Sequence, residues 1–329
     1  MIVSSVGTRT MSRRILVLKR GTHGMPMTEY AAEIRGRRPD DEVVRARTRS
    51  EELERVADAD VVTGRAIDEE LLERADDLTL FAGLAAGYEH LPLDDLESRG
   101  VAVTNGSGIH APNMAEQVLG YLLVSARRLD EGWRREQARQ WDHYRAGELK
   151  DSTVTVVGLG AIGTSIVERL EPFGVETIGV RYTPAKGGPT DEVVGFEGPA
   201  FDGALARTDY LVLACPLTET TEGLIDEAAF DTLPPSAMLV NVARGPVVDT
   251  DALVDALRGS ELAGAALDVT DPEPLPADHP LWGFEDVRIT PHMAGSTPHY
   301  YERCADILAR NLDRLDEAGD DADLENRVR

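Results

Sequence analysis

The sequence predicts an α/β protein built from two Rossmann-like, doubly wound parallel sheets. Two observations carry that class. Short apolar runs alternate with acidic helical stretches from Ile15 onward, and the same alternation starts afresh at Thr153 behind a long helical segment. Parallel neighbours need a crossover between them, usually a helix, so this rhythm belongs to a parallel sheet with helices on its faces. At 329 residues the chain is long enough for two such units, each with its own core.

In the first series the expected strands are residues 15–18, a run beginning at Val61-Val62, residues 78–82 and residues 101–104. Acidic helical stretches fall at 50–57 and 67–75. Residues 112–128 place Met114, Val118, Leu119, Leu122 and Leu123 at helical spacing. Residues 129–150, rich in Arg and carrying Trp133 and Trp141, read as too helical for a loose linker. The second series has strands at 153–157, 177–180, 210–214, 238–242, 264–267 and 287–290, and 299–315 is helical. The acidic tail at 316–325 is expected to be solvated, with Asn326-Arg327-Val328 free to dock. No internal repeat of fixed period or low-complexity block is present.

The net charge of −25, with only three lysines (Lys19, Lys150, Lys186), is the one unusual bulk property. Such a surface stays hydrated in concentrated salt and repels itself in dilute salt, which reads as adaptation to a salty cytoplasm. It excludes the basic face needed for nucleic acid, and disfavours an anionic membrane. No apolar run approaches a membrane span and no secretory signal is present, so a cytoplasmic protein is expected. Cys215 and Cys304 read as reduced, buried thiols, and no metal site is expected. Residues 1–10 are polar and unpatterned, and read as a leader or an over-extended start before Met11.

Gly158-Leu-Gly-Ala-Ile-Gly163 follows one strand and opens a helix expected to run to about Phe173. The context makes this GxGxxG informative. Gly158 permits the tight turn, Gly160 lets a pyrophosphate approach the backbone, and Gly163 lets helix and strand pack closely. The helix amides, including those of Ala161 and Ile162, then attract phosphate. The next strand ends in Arg181, followed by Tyr182, Thr183 and Lys186, and no carboxylate appears until Asp191. A cation there accommodates a ribose 2′-phosphate, so NADP(H) is expected over NAD(H), with NAD(H) still usable.

Three further side chains lie in order: Arg244 in Asn-Val-Ala-Arg-Gly, Glu273 in Asp-Pro-Glu-Pro, and His292 in Thr-Pro-His-Met. A fixed cation, a carboxylate and an imidazole are what a 2-oxo acid needs in order to accept a hydride. Singly, each has an ordinary explanation as a salt-bridged arginine, one more acid in an acidic chain, or a capping histidine.

Across residues 13–328 the chain resembles the D-isomer-specific 2-hydroxyacid dehydrogenases. The resemblance rests on Phe81-Ala-Gly-Leu-Ala-Ala-Gly-Tyr-Glu-His90, the glycine loop, and Cys215-Pro-Leu-Thr-Glu-Thr-Thr-Glu-Gly-Leu-Ile225. It rests equally on Asn241-Val-Ala-Arg-Gly-Pro-Val-Val-Asp249, Leu267-Asp-Val-Thr-Asp-Pro-Glu-Pro-Leu275 and Thr290-Pro-His-Met-Ala-Gly-Ser-Thr297, in the family's order and spacing. It implies a discontinuous substrate domain, 1–111 and 294–329, with a dinucleotide domain, 112–293, inserted in it. Helical crossovers near 112–128 and 294–310 would form the hinge. A homodimer through the cofactor domain is implied, and the arm at 129–150 suits it.

Carried over residue by residue, the resemblance assigns Leu84, Ala85, Ala86 and Gly87 to the substrate carboxylate, through backbone N–H groups. Arg244 would hold carboxylate and keto oxygen together. His292 would donate the proton in reduction, and Glu273 would bond its other ring nitrogen and fix the tautomer. Asp268 would accept from the nicotinamide carboxamide, and Cys215, Pro216, Thr221, Val242 and Ala243 would line the cofactor cleft. Tyr88, His110 and Met293 are candidates for the side-chain pocket, with His110 equally a hinge contact and His23 equally ambiguous.

Departures from the family narrow the substrate. Relatives acting on phosphoglycerate often carry an arginine where Gly83 stands, and many continue into a regulatory domain. Formate dehydrogenases of the superfamily have Gln in place of Glu273. The leading expectation is an NADPH-preferring D-2-hydroxyacid dehydrogenase working as a 2-oxo acid reductase. A glyoxylate or hydroxypyruvate reductase is the second enzyme reading. Dinucleotide-sensing corepressors of the same superfamily are the reading from another class, disfavoured by the lack of long disordered flanks.

Overall fold

A computed structural model describes residues 12–22, 24–88 and 90–328. The leader expected at 1–10, His23 and Glu89 lie outside the described residues. The chain forms two compact units, one from the N-terminal part to Ile109 together with Thr297 onward, the other His110–Ser296.

The first unit contains β1 (Arg14–Val17), α1 (Met27–Arg37), β2 (Glu42–Arg45), α2 (Arg49–Arg55), β3 (Val61–Gly64), α3 (Glu69–Leu72), β4 (Leu80–Gly83), α4 (Leu93–Ser98) and β5 (Ala102–Thr104). Its sheet is parallel in the order β2-β1-β3-β4-β5. Successive residues point to opposite faces, and both faces are buried. Ile15, Val17, Val61 and Leu80 pack with α1 residues such as Tyr30 and Ile34. Leu16, Val62, Phe81 and Val103 pack on the other face with Leu71, Leu72 and Leu96.

The second unit begins with α5 (Ala111–Arg127) and α6 (Leu129–Gln137), then β6 (Thr153–Val157), α7 (Ala161–Leu170), β7 (Glu176–Val180), β8 (Glu192–Val194), α8 (Pro199–Leu205) and β9 (Tyr210–Leu213). It ends with α9 (Glu227–Thr232), β10 (Met238–Asn241), α10 (Thr250–Gly259), β11 (Gly264–Leu267) and β12 (Val287–Ile289). Its seven strands run in the order β12-β11-β10-β9-β6-β7-β8, all parallel. This is the doubly wound order, with the strand sequence reversing beside β6. α5 and α7 cover one face over Val154, Val156 and Val240. α8, α9 and α10 cover the other over Leu211, Leu213 and Leu239.

Two expectations are corrected. The segment 129–150 is not helical throughout: α6 stops at Gln137, where Arg139 takes a left-handed φ of 55° and the Gln140 N–H donates to the Arg135 carbonyl at 2.9 Å. Residues 316–325 are not a solvated tail. The last helix of the first unit, α11 (Tyr300–Ala318), continues past the expected end at 315. Asp316 pairs with Arg13 and Arg38, Leu324 is buried, and the Glu325 carboxylate takes two bonds from Arg310 at 2.7 and 2.9 Å. That bond to Arg310 holds the Glu325 carboxyl below its ordinary range. Asn326, Arg327 and Val328 then dock beside β5, the Val328 N–H donating to the Val103 carbonyl at 2.8 Å.

Candidate active site

Most of the chemistry-bearing residues assigned within the second unit follow the carboxyl end of a strand. β6 leads into Gly158, β7 into Arg181, β9 into Cys215, β10 into Arg244, β11 into Asp268 and Glu273, and β12 into His292. Register fixes three of these exits side by side, because Asn241 pairs with Leu267 and Leu267 with Ile289. Open parallel sheets take ligands at this edge.

The glycine loop has the shape its residues imply. Gly158 sits at a φ of 99°, and a Cβ there would meet the Cys215 backbone at 2.7 Å. A Cβ on Gly163 would fall 1.8 Å from the Gly158 carbonyl, so helix and strand approach too closely for any side chain. At Gly160, the N-cap of α7, a Cβ would meet nothing within 4 Å. That position opens outward, as close approach of a ligand to the backbone requires. The loop therefore fits a pyrophosphate on the α7 amides.

Arg181 leaves β7 with its N–H donated to the Val194 carbonyl, and its Nη1 donates to the Gly187 carbonyl at 2.5 Å. The guanidinium thereby closes the 182–187 turn, on which Tyr182, Thr183 and Lys186 are exposed. Among the described residues no carboxylate pairs with Arg181. Cys215 is buried, and burial pushes its thiol up to about 11, so it is an inert neighbour of Gly158. Thr221 donates its hydroxyl to the Pro216 carbonyl at 2.6 Å and holds that loop closed, with Pro216 exposed. Val242 and Ala243 are buried in the core, leaving only their backbone near the edge.

Arg244 is exposed on a turn that two unforeseen residues shape. The Asn241 side chain accepts from the Ala243 N–H and donates to the Arg244 carbonyl, both at 3.0 Å. A Cβ on Gly245 would lie 2.1 Å from the Thr270 carbonyl, so this turn rides directly on the segment leading to Glu273. Asn241 was legible as a polar residue ending an apolar strand, but its partner could not be read from spacing.

His292 adopts a φ of 49°, rare for a side chain of this size. Its Nδ1 lies 2.6 Å from Glu273 Oε1, and among the described residues nothing bonds Nε2. An imidazole held through Nδ1 in this way can pass a proton at Nε2. Asp268 fixes the backbone: its carbonyl accepts the His292 N–H at 2.8 Å. Its carboxylate, 2% exposed, accepts from the Thr290 hydroxyl and from the N–H groups of Met293 and Ala294. Both Asp268 oxygens are thus engaged in holding the 290–294 turn, and Tyr121, also unforeseen, backs Thr290 at 2.5 Å. His110 Nδ1 is 2.8 Å from the Gly295 carbonyl, and Met293 is exposed.

In the first unit, the loop after β4 turns its carbonyls inward. Leu84 accepts from the Tyr300 hydroxyl at 2.7 Å, Ala85 from the Gly106 N–H at 2.9 Å and Ala86 from Asn105 Nδ2 at 2.6 Å. Among the described residues nothing accepts from the N–H groups of Ala85, Ala86 and Gly87, and Tyr88 beyond them is exposed. Such successive amides suit an anion.

The family model for the D-isomer specific 2-hydroxyacid dehydrogenase NAD-binding domain matches residues 119–294. The chain belongs to this family. A glyoxylate reductase of Thermofilum pendens is 36% identical over 253 residues, covering 75% of this chain and 74% of that protein. The human glyoxylate reductase/hydroxypyruvate reductase is 34% identical over 253 residues, covering 74% and 76%. Among solved structures, a D-isomer specific 2-hydroxyacid dehydrogenase from Xanthobacter autotrophicus, in complex with NADPH and MES, matches at 28% identity with a TM-score of 0.75, covering 97% of this chain and 98% of that one. This 2-hydroxyacid dehydrogenase is therefore an NAD(P)-dependent oxidoreductase of CH–OH groups. No helix among its described residues is long and apolar enough to cross a membrane, and no group of three or more His, Cys, Asp or Glu among them is placed to hold a metal ion.

Proposed function

We propose that this enzyme reduces small 2-oxo acids to D-2-hydroxy acids, with NADPH preferred over NADH. The observation that carries the reading is the His292–Glu273 pair at 2.6 Å, on the strand edge that also carries the glycine loop. A bound nicotinamide dinucleotide supplies the hydride. Gly158, Gly160, Ala161, Ile162 and Gly163 hold its pyrophosphate, while Arg181, Tyr182, Thr183 and Lys186 receive the ribose 2′-phosphate. Cys215, Pro216, Thr221, Val242 and Ala243 flank it through backbone and loop. Arg244 orients the 2-oxo acid and offsets charge growing on the keto oxygen. His292 gives that oxygen its proton from Nε2, and Glu273 keeps the ring oriented. The amides of the loop from Leu84 to Gly87 bind the substrate carboxylate. In this reading the first unit is the substrate domain and the second the dinucleotide domain.

Glyoxylate or hydroxypyruvate reduction is the second reading, supported by the names of the relatives. The protein works in a salty cytoplasm, as the −25 charge supports, and as a homodimer through the arm bearing Trp133 and Trp141, 52% and 98% exposed. The test is the initial rate of NADPH and NADH oxidation with a panel of 2-oxo acids at low and high salt. NADPH-dependent turnover rising with salt supports the whole reading. NADH-only turnover removes the 2′-phosphate site, and no turnover with either removes the enzyme reading itself.

A further inference from the structure

Leu18, Lys19 and Arg20 follow β1, and Arg65 and Ala66 follow β3, so these two strands open at their carboxyl ends into a cavity of about 540 Å³. β1 and β3 are neighbours in the order β2-β1-β3-β4-β5, and the strand sequence reverses between them. That reversal is where open parallel sheets receive ligands. The cavity is lined by Lys19, Arg20, Arg49, Arg65 and His90, against two carboxylates, Glu52 and Asp68.

Both carboxylates are committed. Glu52, 4% exposed, accepts the backbone N–H of Lys19 at 2.8 Å and lies 3.6 Å from Arg49. Asp68 caps α3 by accepting the Leu71 N–H and pairs with Arg49 at 2.8 Å. Arg49 is thereby neutralised. Among the described residues no carboxylate pairs with Lys19, Arg20 or Arg65. Lys19, Arg20 and Arg65 are exposed and face one cavity, with no carboxylate of their own among the described residues. A recessed site in which four cations face two carboxylates attracts anions.

The cavity adjoins the loop of free amides within the same unit. Gly64 and Gly83 are register partners, and the Leu84 N–H donates to the Gly64 carbonyl at 3.0 Å, so Arg65 and Leu84 leave their strands side by side. Three residues beyond Gly87 the chain returns to the cavity, where His90 Nε2 is 2.9 Å from the Arg65 carbonyl. Three residues span at most about 11 Å. The loop amides and these cations therefore lie on the same edge of one sheet.

We infer that this cavity takes a second carboxylate of the substrate, so that the preferred substrates are 2-oxo dicarboxylates rather than monoanionic 2-oxo acids. The inference rests on the reading of the enzyme as a 2-oxo acid reductase. Arginine matches the choice of group, because its planar fork bonds a carboxylate through two parallel N–H groups.

The test is kcat/KM at one fixed salt concentration for glyoxylate, pyruvate, oxaloacetate and 2-oxoglutarate, in the wild type and in an Arg20→Gln/Arg65→Gln double variant. The wild type is expected to favour the dicarboxylates by about tenfold or more. The double variant is expected to lower the dicarboxylate-to-monoanion ratio by at least tenfold, mainly through KM, and Arg65→Lys to recover part of the loss. NADPH fluorescence on binding, together with the melting temperature, confirms that the variants are folded. A wild type favouring monoanions, or a ratio unmoved in the double variant, overturns the inference and leaves 2-oxo acid reduction standing. No turnover of any acid with either cofactor overturns both.

Discussion

Nδ1 of His292 stands 2.6 Å from Oε1 of Glu273, although nineteen residues separate them in the chain. Both side chains are about half exposed, at 51% and 42%, so water competes for this bond and its strength depends on the carboxylate charge. Glu273→Gln keeps a hydrogen-bond partner and removes the charge. Turnover is expected to fall about 10²-fold, at the low end of what acid–base help contributes, with cofactor affinity little changed. Steady-state kinetics with a fluorescence titration of NADPH checks this; loss of both together would mean that Glu273 shapes the fold rather than the reaction.

Asp268 decides where His292 stands. The left-handed backbone of His292 costs of order 1–3 kcal/mol, which its surroundings must offset. Asp268 offers its carbonyl to His292 and its carboxylate to Thr290, Met293 and Ala294. Asp268→Ala takes the acceptor from the buried Ala294 N–H and from the less buried donors of Thr290 and Met293, so stability should drop by about 1–3 kcal/mol and turnover by at least tenfold. Denaturant unfolding and kcat measure the two effects, and a variant as active as the wild type would contradict the positioning role.

Arg181 lies at the end of β7 with one of its nitrogens on the Gly187 carbonyl. Arg181→Asp should weaken NADPH binding by tenfold or more and leave NADH binding equal or better, since a carboxylate repels the 2′-phosphate. Dissociation constants for both cofactors decide it. An unmoved ratio would reduce Arg181 to a turn-closing residue.

Alkali should destabilise the protein. Burial pushes the Cys215 thiol up from 9.0 to about 11 and Cys304 to about 12. A raised folded-state value means the unfolded chain loses these protons first, so the stability they contribute is present in full below pH 9 and is lost as pH rises through 11 to 12. Unfolding free energy is expected to decline steadily above pH 9, and less steeply in Cys215→Ala relative to its own value at pH 8. Parallel declines in the two proteins would count against a buried thiol.

Much of this fold is legible in the sequence because its central strands are runs of Val, Ile and Leu between helices. The edge strands β2 and β8 escape that reading: Glu42-Val-Val-Arg45 and Glu192-Val-Val194 are short, charged at an end and covered on fewer sides. The register of Asn241, Leu267 and Ile289, which gathers Arg244, Asp268 and His292 at one edge, follows once the strands are parallel. The supporting contacts do not. Tyr121 on Thr290, Asn241 on its own turn, and the committed oxygens of Asp268 are relations across 169, 3 and 22 to 26 residues. The basic cavity was equally hidden, since Lys19-Arg20, Arg49, Arg65 and His90 are scattered and only the sheet order brings them together.

The most direct test of the account is His292→Ala, measured for kcat with NADPH and a good 2-oxo acid, and for NADPH dissociation by fluorescence. Removing the proton donor should lower kcat by about 10²–10⁴-fold and leave the cofactor dissociation constant within a factor of two or three. Turnover close to that of the wild type would contradict the assignment of His292 as the group that gives the keto oxygen its proton.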